Sequence, residues 1–307
     1  MMQKSLALLF DPEHAQTHRA AIQMASHLRS VVRCIVVPAD RHLPVRLEDL
    51  EVDAVLNLIT HPERARNVHA ACRLMDIPTA GPGAFALTLV TDRMMLKDFL
   101  NIHNLPTPAS YVPHRPVKEL EFDHRNFGFP VRVMPRYTPA EVRVATDLDT
   151  LVRLVDDIRN THDEAVVERP ITGKILYTSL WDKKVIGTAE SFMYLDGAHN
   201  VEEVCIPATL PASSVKTVER MAQRIAELLL SEGALLVTSA HDETTGDCIL
   251  SVDAAPCLQR DSLFVRIATA YGFTQRDIAM SLTQHVFGRT SQNIVFPLRL
   301  HNATSAS

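Results

Sequence analysis

Aromatic side chains are scarce in this 307-residue sequence; tryptophan, tyrosine and phenylalanine together make up 6%. That argues against the stacking platforms that bind single-stranded nucleic acid. A surplus of positive charge is also missing. The formal net charge is -5, which opposes generic affinity for nucleic acid. No stretch approaches the apolar length that spans a membrane. The five cysteines (Cys34, Cys72, Cys205, Cys248, Cys257) are odd in number and lack C-x-x-C spacing. They are expected to be free thiols in a reducing compartment. The opening MMQKSLALLF has neither a long apolar h-region nor a small-residue cleavage site, so no signal peptide and a cytoplasmic location are expected. The fourteen histidines show no H-E-x-x-H or paired Cys/His spacing, and no G-x-G-x-x-G or G-x-S-x-G motif occurs.

What is present is alternation. SLALLF, VVRCIVV and DAVLNLI are short apolar or β-branched runs separated by helical patterns. Such an order predicts a parallel sheet with helices on its faces. TDRMMLKDFLN predicts a helix with Thr91 as its N-cap. FPVRVMP, AEVRVAT and AVVERPI then read as strands, with an amphipathic helix over 148–160. Residues 174–195 suggest an antiparallel meander. Residues 213–233 predict a helix capped by Ser213 or Ser214 and stopped by Gly233. ALLVTSAHD and CILSVDAAP form a hairpin, and a last helix covers about Arg276 to Phe287.

Six segments, taken in order, carry a family resemblance. They are LMDIPTAGPG with the helix that follows, NLPTPASYV, FPVRVMP, VVERPITGK, ILSVDAAPCLQRDSL and YGFTQRDIAMSLTQHVF. Together they resemble the D-alanine–D-alanine ligases of the ATP-grasp superfamily along nearly the whole chain. The resemblance implies an α/β (α+β) ATP-grasp fold. A Rossmann-like domain (1–83) precedes two β/α subdomains (84–183 and 184–307) that flank a nucleotide cleft. It also implies ATP-dependent ligation through an acylphosphate, assisted by two magnesium ions, and a homodimer.

The positions that would carry this chemistry are altered. The family's phosphate lysine on the V-V-K-P strand falls on Met134. Arg132 and Arg136 lie close by, but neither is expected to stand in, because neighbouring strand residues face opposite ways. Arg93 and Lys97 remain on the earlier helix TDRMMLKDFLN as candidate nucleotide ligands. The glycine-rich flap becomes Arg136–Arg143, with no glycine and with Pro139 and Glu141. Glu168, Pro170 and Ile171 match the adenine-facing hinge, although Ile175 replaces its later glutamate. The competing reading of Glu168 is an ion pair with Arg169 or a lysine. A family lysine falls near His199, which is read as an exposed loop histidine. At the metal strands, R-x-D becomes Leu236-Val237-Thr238 and E-x-N becomes Ser251-Val252-Asp253. Only Asp253 could hold a magnesium ion. Ser262 and Leu263 match the pair that contacts the second substrate. The N-terminal substrate loop becomes FDPEHAQTHRA, where Glu13 is out of register. The stretch ITHPERARNVH carries Arg64, Arg66 and His69 where the family has glycines and acids.

The combined losses predict a ligase-like protein without ligase activity, acting as a binding, regulatory or scaffold protein, with a protein partner or a second copy. ATP and magnesium belong only to the alternative, an active carboxylate–amine ligase that uses Arg93, Lys97, Glu168 and Asp253. A third possibility is an interaction module whose cleft is filled by side chains.

Overall fold

In the computed structural model of the chain, Ser5–Phe10 forms β1 and lies between β2 (Arg33–Pro38) and β3 (Ala54–Asn57), with β4 (Thr79–Ala80) beyond β3. All three pairings are parallel. The structure describes residues 4–288, apart from 115–119, 121–123, 125–126, 138–141, 162, 172, 197–198 and 244; within 193–201 it describes backbone only. β1 is apolar at nearly every position because helices cover both faces of a parallel sheet. Leu6 and Leu8 pack on one side with Met24 of α1 (Ala15–Leu28), and Ala7 and Leu9 pack on the other with Val68 of α3 (Pro62–Leu74). A short helix, α2 (Leu43–Asp49), closes the second layer. α4 (Ala84–Thr91) and α5 (Arg93–Ile102) then lead out of this domain.

The expected N-cap at Thr91 is displaced by one residue. Thr91 ends α4 and donates its hydroxyl to Leu87 O at 2.7 Å. Asp92 is extended and accepts from Met94 N and Met95 N at 2.9 and 3.1 Å, so it is the residue that starts α5. A carboxylate caps better than a hydroxyl already used in the preceding turn.

The central sheet has the order β5 (Ser110–Tyr111), β8 (Ala165–Glu168), β6 (Val131–Pro135), β7 (Arg143–Ala145) and is antiparallel throughout. Val131, Val133 and Val167 face α6 (Leu148–Arg159), where Leu151, Leu154, Val155 and Ile158 complete a separate core. Each of these side chains contributes about 1.5–3 kcal/mol by leaving water. The alternation sends Arg132, Met134 and Glu168 to the opposite face.

The third sheet is antiparallel, in the order β11 (His199–Cys205), β10 (Lys184–Asp196), β9 (Lys174–Trp181), β12 (Ala234–Asp242), β13 (Gly246–Asp253). β9 pairs with both β10 and β12, so a division at residue 183 would cut this sheet. The two sheets separate between Glu168 and Lys174 instead. α7 (Ala212–Leu228) covers one face through Ala222 and Ile225, while α8 (Leu263–Ala270) and α9 (Gln275–Phe287) cover part of the other. α7 is shorter than expected. Pro211 holds its N-cap position with no side-chain bond, and Gly233 lies beyond its end at φ +76. The backbone N–H of Gly233 donates to Asp182 Oδ1 at 2.7 Å. α9 packs back onto the first domain, and Trp181 Nε1 donates to Ser281 Oγ at 2.9 Å, which ties the last helix to the third sheet.

Candidate functional site

Glu168 ends β8 directly across from Arg132 of β6. Arg132 Nη1 donates to Glu168 Oε1, and Lys97 Nζ of α5 reaches Oε2, both at 2.6 Å. Lys97 also donates to Thr107 Oγ1 and Pro108 O at 3.1 and 3.0 Å. The side chains are 6% exposed for Lys97, 4% for Glu168 and 23% for Arg132. A carboxylate this buried requires both cations, because an unpaired buried charge is strongly unfavourable. The ion pair expected for Glu168 is therefore made with a lysine and with Arg132. Arg169 lies over the Phe127 ring at 5.4 Å instead. Pro170 is exposed and Ile171 half-buried at the exit of the strand.

On β6 Arg132 shares the face of Met134, contrary to the expectation. Arg132, Met134 and Arg136 are spaced by two residues, so the strand period places Arg132 on the face of Met134. What removes the arginines from service is their partners. Arg132 is held by Glu168. Arg136 forms a bidentate pair with Asp92 at 2.8 and 2.7 Å and a further pair with Glu164 at 2.7 Å. These bonds push the Arg136 guanidinium above its ordinary value. Met134 itself is buried. Arg93 differs from its neighbours: its Nε donates to Pro135 O at 2.8 Å, and it forms no ion pair with any described residue. Of the flap expected over Arg136–Arg143, residues 138–141, including Pro139 and Glu141, lie outside the described residues.

The metal strands meet in the register the motif requires. Leu236 pairs with Asp253 and Thr238 with Ser251, which sets the four positions on one face of the sheet. Asp253 is the one carboxylate among them. Its Oδ1 accepts from Ala255 N at 2.9 Å, and no described cation pairs with it. The residue is exposed to water on one side, while protein atoms crowd its carboxyl from the others. This crowding pushes the carboxyl up to about 6. Among the described residues no group of three or more His, Cys, Asp or Glu side chains is placed to hold a metal. Two hydroxyls, a leucine and one acid do not fit a pair of magnesium ions. Asp242 and Asp247 sit at the hairpin turn, where Asp247 Oδ1 bonds His241 Nδ1 at 2.5 Å.

The shift at Asp253 gives a testable sign. A carboxyl raised in the folded state supports stability below its unfolded value of about 3.9 and loses that support as pH rises through about 6. Asp253→Asn is therefore expected to stabilise the chain at pH 8 relative to pH 4. The gain should be about 1 kcal/mol, discounted because the group reaches water. Urea denaturation at both pH values measures it; an equal effect at both would refute the assignment.

Ser262 and Leu263 open α8, and the Ser262 hydroxyl donates to Cys257 O at 2.5 Å, which closes the loop after Asp253. In the N-terminal loop, buried Asp11 is bonded by His14 Nδ1 and Arg64 Nη1, each at 3.0 Å. Arg64 also meets Glu13 at 2.7 Å, so the basic stretch on α3 is partly neutralised from within. His199 falls on β11, not in a loop, and its side chain lies outside the description. On the open face of the third sheet, Tyr177 and Ser191 both donate to Glu202 Oε1, at 2.7 and 2.6 Å.

No protein-family model matches the chain. The D-alanine–D-alanine ligase of Francisella philomiragia is 23% identical over 253 residues, covering 76% of this chain and 80% of that protein. D-alanine–D-alanine ligase B of Clostridium perfringens is 25% identical over 223 residues, covering 67% and 71%. Among solved structures, the D-alanine–D-alanine ligase of Bacillus anthracis complexed with ATP superposes with a TM-score of 0.79 at 16% identity, over 93% of this chain and 97% of that one. The VanG D-Ala:D-Ser ligase of Enterococcus faecalis gives a TM-score of 0.76 at 14% identity, over 93% and 100%. With the sheet orders, the register of the paired strands and these relationships combined, the chain is similar in sequence to D-alanine–D-alanine ligases and has their fold.

Proposed function

We propose that this protein has kept the ligase scaffold without the ligase reaction and acts as a binding or regulatory protein. One observation carries the proposal. Where the paired metal strands meet, Leu236, Thr238 and Ser251 leave Asp253 as the single carboxylate. Phosphoryl transfer works chiefly by positioning phosphates and neutralising their charge, and one acid cannot do this through metal ions. A second observation points the same way. Lys97 and Arg132 are both committed to Glu168, so neither is free for a phosphate. The rival, an active carboxylate–amine ligase, would need Arg93, Lys97, Glu168 and Asp253. Lys97 and Glu168 already neutralise one another, and Arg93 and Asp253 form no direct ion pair among the described residues. Homodimeric assembly and a cytoplasmic location, both read from the resemblance and the composition, belong to the same proposal.

The test is direct. The purified chain, supplied with ATP, magnesium and D-alanine, is expected to form no dipeptide and release no ADP above the level of an Asp253→Ala control. Dipeptide formation that needs both ATP and magnesium, and is lost in that control, would overturn the proposal.

A further inference from the structure

The last helix carries a titratable group at the seam between the first domain and the third sheet. One face of α9 enters the core of Leu6, Leu8 and Met24 through Ile278, Ala279 and Leu282. Another face turns to the third sheet. There Ser281 Oγ accepts from Trp181 Nε1, and one turn later His285 meets Asp182. His285 Nε2 lies 3.0 Å from Asp182 Oδ2. Its ring stacks on Trp181, with centroids 6.3 Å apart and planes inclined by 23°. The end of α9 is thus fastened by an imidazole.

Asp182 is a fixed acceptor. It starts the β9–β10 turn, in which Asp182 and Lys183 stand at φ +47 and +67, the twist such a hairpin needs. Its N–H donates to Gly233 O at 3.0 Å, and its Oδ1 accepts from Gly233 N at 2.7 Å. Oδ2 therefore stays aimed at α9. Burial works to raise the Asp182 carboxyl, but the bonds from His285 and Gly233 outweigh it and hold the group below its ordinary value. The same bond lifts His285 above its ordinary value against the effect of burial. Glu232, in the loop before β12, adds negative field at His285, and Lys183 acts on Asp182 from the turn. On the first-domain side, Lys4 lies over the ring of Phe287. The carboxyl end of a helix favours a cation as well. Two other histidines, His14 and His241, pair with acids three and six residues away, so their protons act within one loop or one hairpin. His285 and Asp182 are 103 residues apart, and a proton there acts between a helix and a sheet.

We propose that α9 ends in a pH-sensitive clasp: protonated His285, held between Asp182 and Trp181, fastens the helix to the third sheet, and loss of that proton loosens it. The neutral imidazole still donates one hydrogen bond, so the clasp slackens without opening fully. The sign follows from the two shifts. His285, raised in the fold, gives stability that is complete below its unfolded value of about 6.5 and is lost as pH rises through its folded value. Asp182, lowered in the fold, gives stability that is complete above about 3.9 and is lost as pH falls through its folded value. The clasp is tight in mildly acidic solution and looser on both sides. It is independent of whether ligase chemistry is lost.

Trp181 is the single tryptophan of the chain, so intrinsic fluorescence reports this contact. A cation held against the indole face quenches its emission. Titrating the full chain from pH 5 to pH 9 is expected to raise the emission in one step, with a midpoint above about 6.5. The step should vanish in His285→Gln. It should move to lower pH in Asp182→Asn, whose side chain suits the left-handed backbone. Over the same range, amide exchange of residues 284–287, corrected for its intrinsic dependence on pH, should quicken about threefold or more, as for a lost charge at a helix end. In His285→Gln it should stay level. If Asp182→Asn does not fold, His285→Gln decides, because position 285 is exposed. Absence of the step, a step that survives His285→Gln, a midpoint that Asp182→Asn leaves in place, or a step without faster exchange would each overturn the proposal.

Discussion

Glu168→Leu is expected to destabilise the folded chain by about 3–5 kcal/mol, the cost of leaving buried charges without their partner. The residue would be surrounded by Lys97, nearly as buried as itself, and by Arg132, which lies across the β6–β8 pairing. Because the loss comes from stranded cations, it should be recovered when they are removed with it. Glu168→Leu combined with Lys97→Met and Arg132→Leu is expected to approach or exceed the wild-type stability, as apolar replacements of buried ion pairs do. Urea denaturation of the single and triple variants measures both effects, and a double-mutant cycle between positions 97 and 168 isolates their coupling. If Glu168→Leu changes stability by less than about 0.5 kcal/mol, the level of an ordinary surface substitution, the triad does not hold this face together. The hinge acid would then be available to a ligand.

Gly173→Ala is expected to lower stability by about 2–4 kcal/mol, from a left-handed backbone that alanine resists and from overpacking. Gly173 stands at φ +87 between the hinge and β9. A Cβ there would fall 2.2 Å from the carbonyl oxygen of His241 and 2.9 Å from the Cβ of Asp242. Both neighbours belong to β12, and His241 pairs with Lys174 immediately after the glycine. The backbone cannot give way without breaking the end of the β9–β12 ladder. Thermal unfolding and amide exchange of residues 174–176 check this: a lower midpoint with faster exchange at those amides is expected. An unchanged midpoint would mean that the hinge moves freely over the third sheet.

Much of the scaffold is legible in the chain itself. The apolar run of β1 announces a strand covered on both faces, and the helix over Leu148–Arg159 was visible from its apolar stripe to within a residue. Short helices were harder. α2, α4 and α8 have seven or eight residues, too few turns for periodicity to rise above the surrounding pattern. Cap positions differ by a residue from the sequence pattern because Thr91 and Asp92 are both competent and only the chain path selects between them. At the site, sequence showed which ligands had been replaced. It does not show why Arg132 is unavailable, because its partner, Glu168, lies across from it on another strand.

By itself, then, the sequence determined the layered α/β framework and the exchange of charged ligands for Met134, Leu236, Thr238 and Ser251. Both are local properties, set by hydrophobic periodicity and by the chemistry of single side chains. The tertiary structure alone decided which charges are spent and which remain. Lys97 reaches Glu168 only because α5 is packed beside β8, and Arg93 reaches Pro135 O only because the same helix starts beside the end of β6. Ionic partners far apart in sequence are set by strand order and helix placement, and burial then fixes their energetic weight.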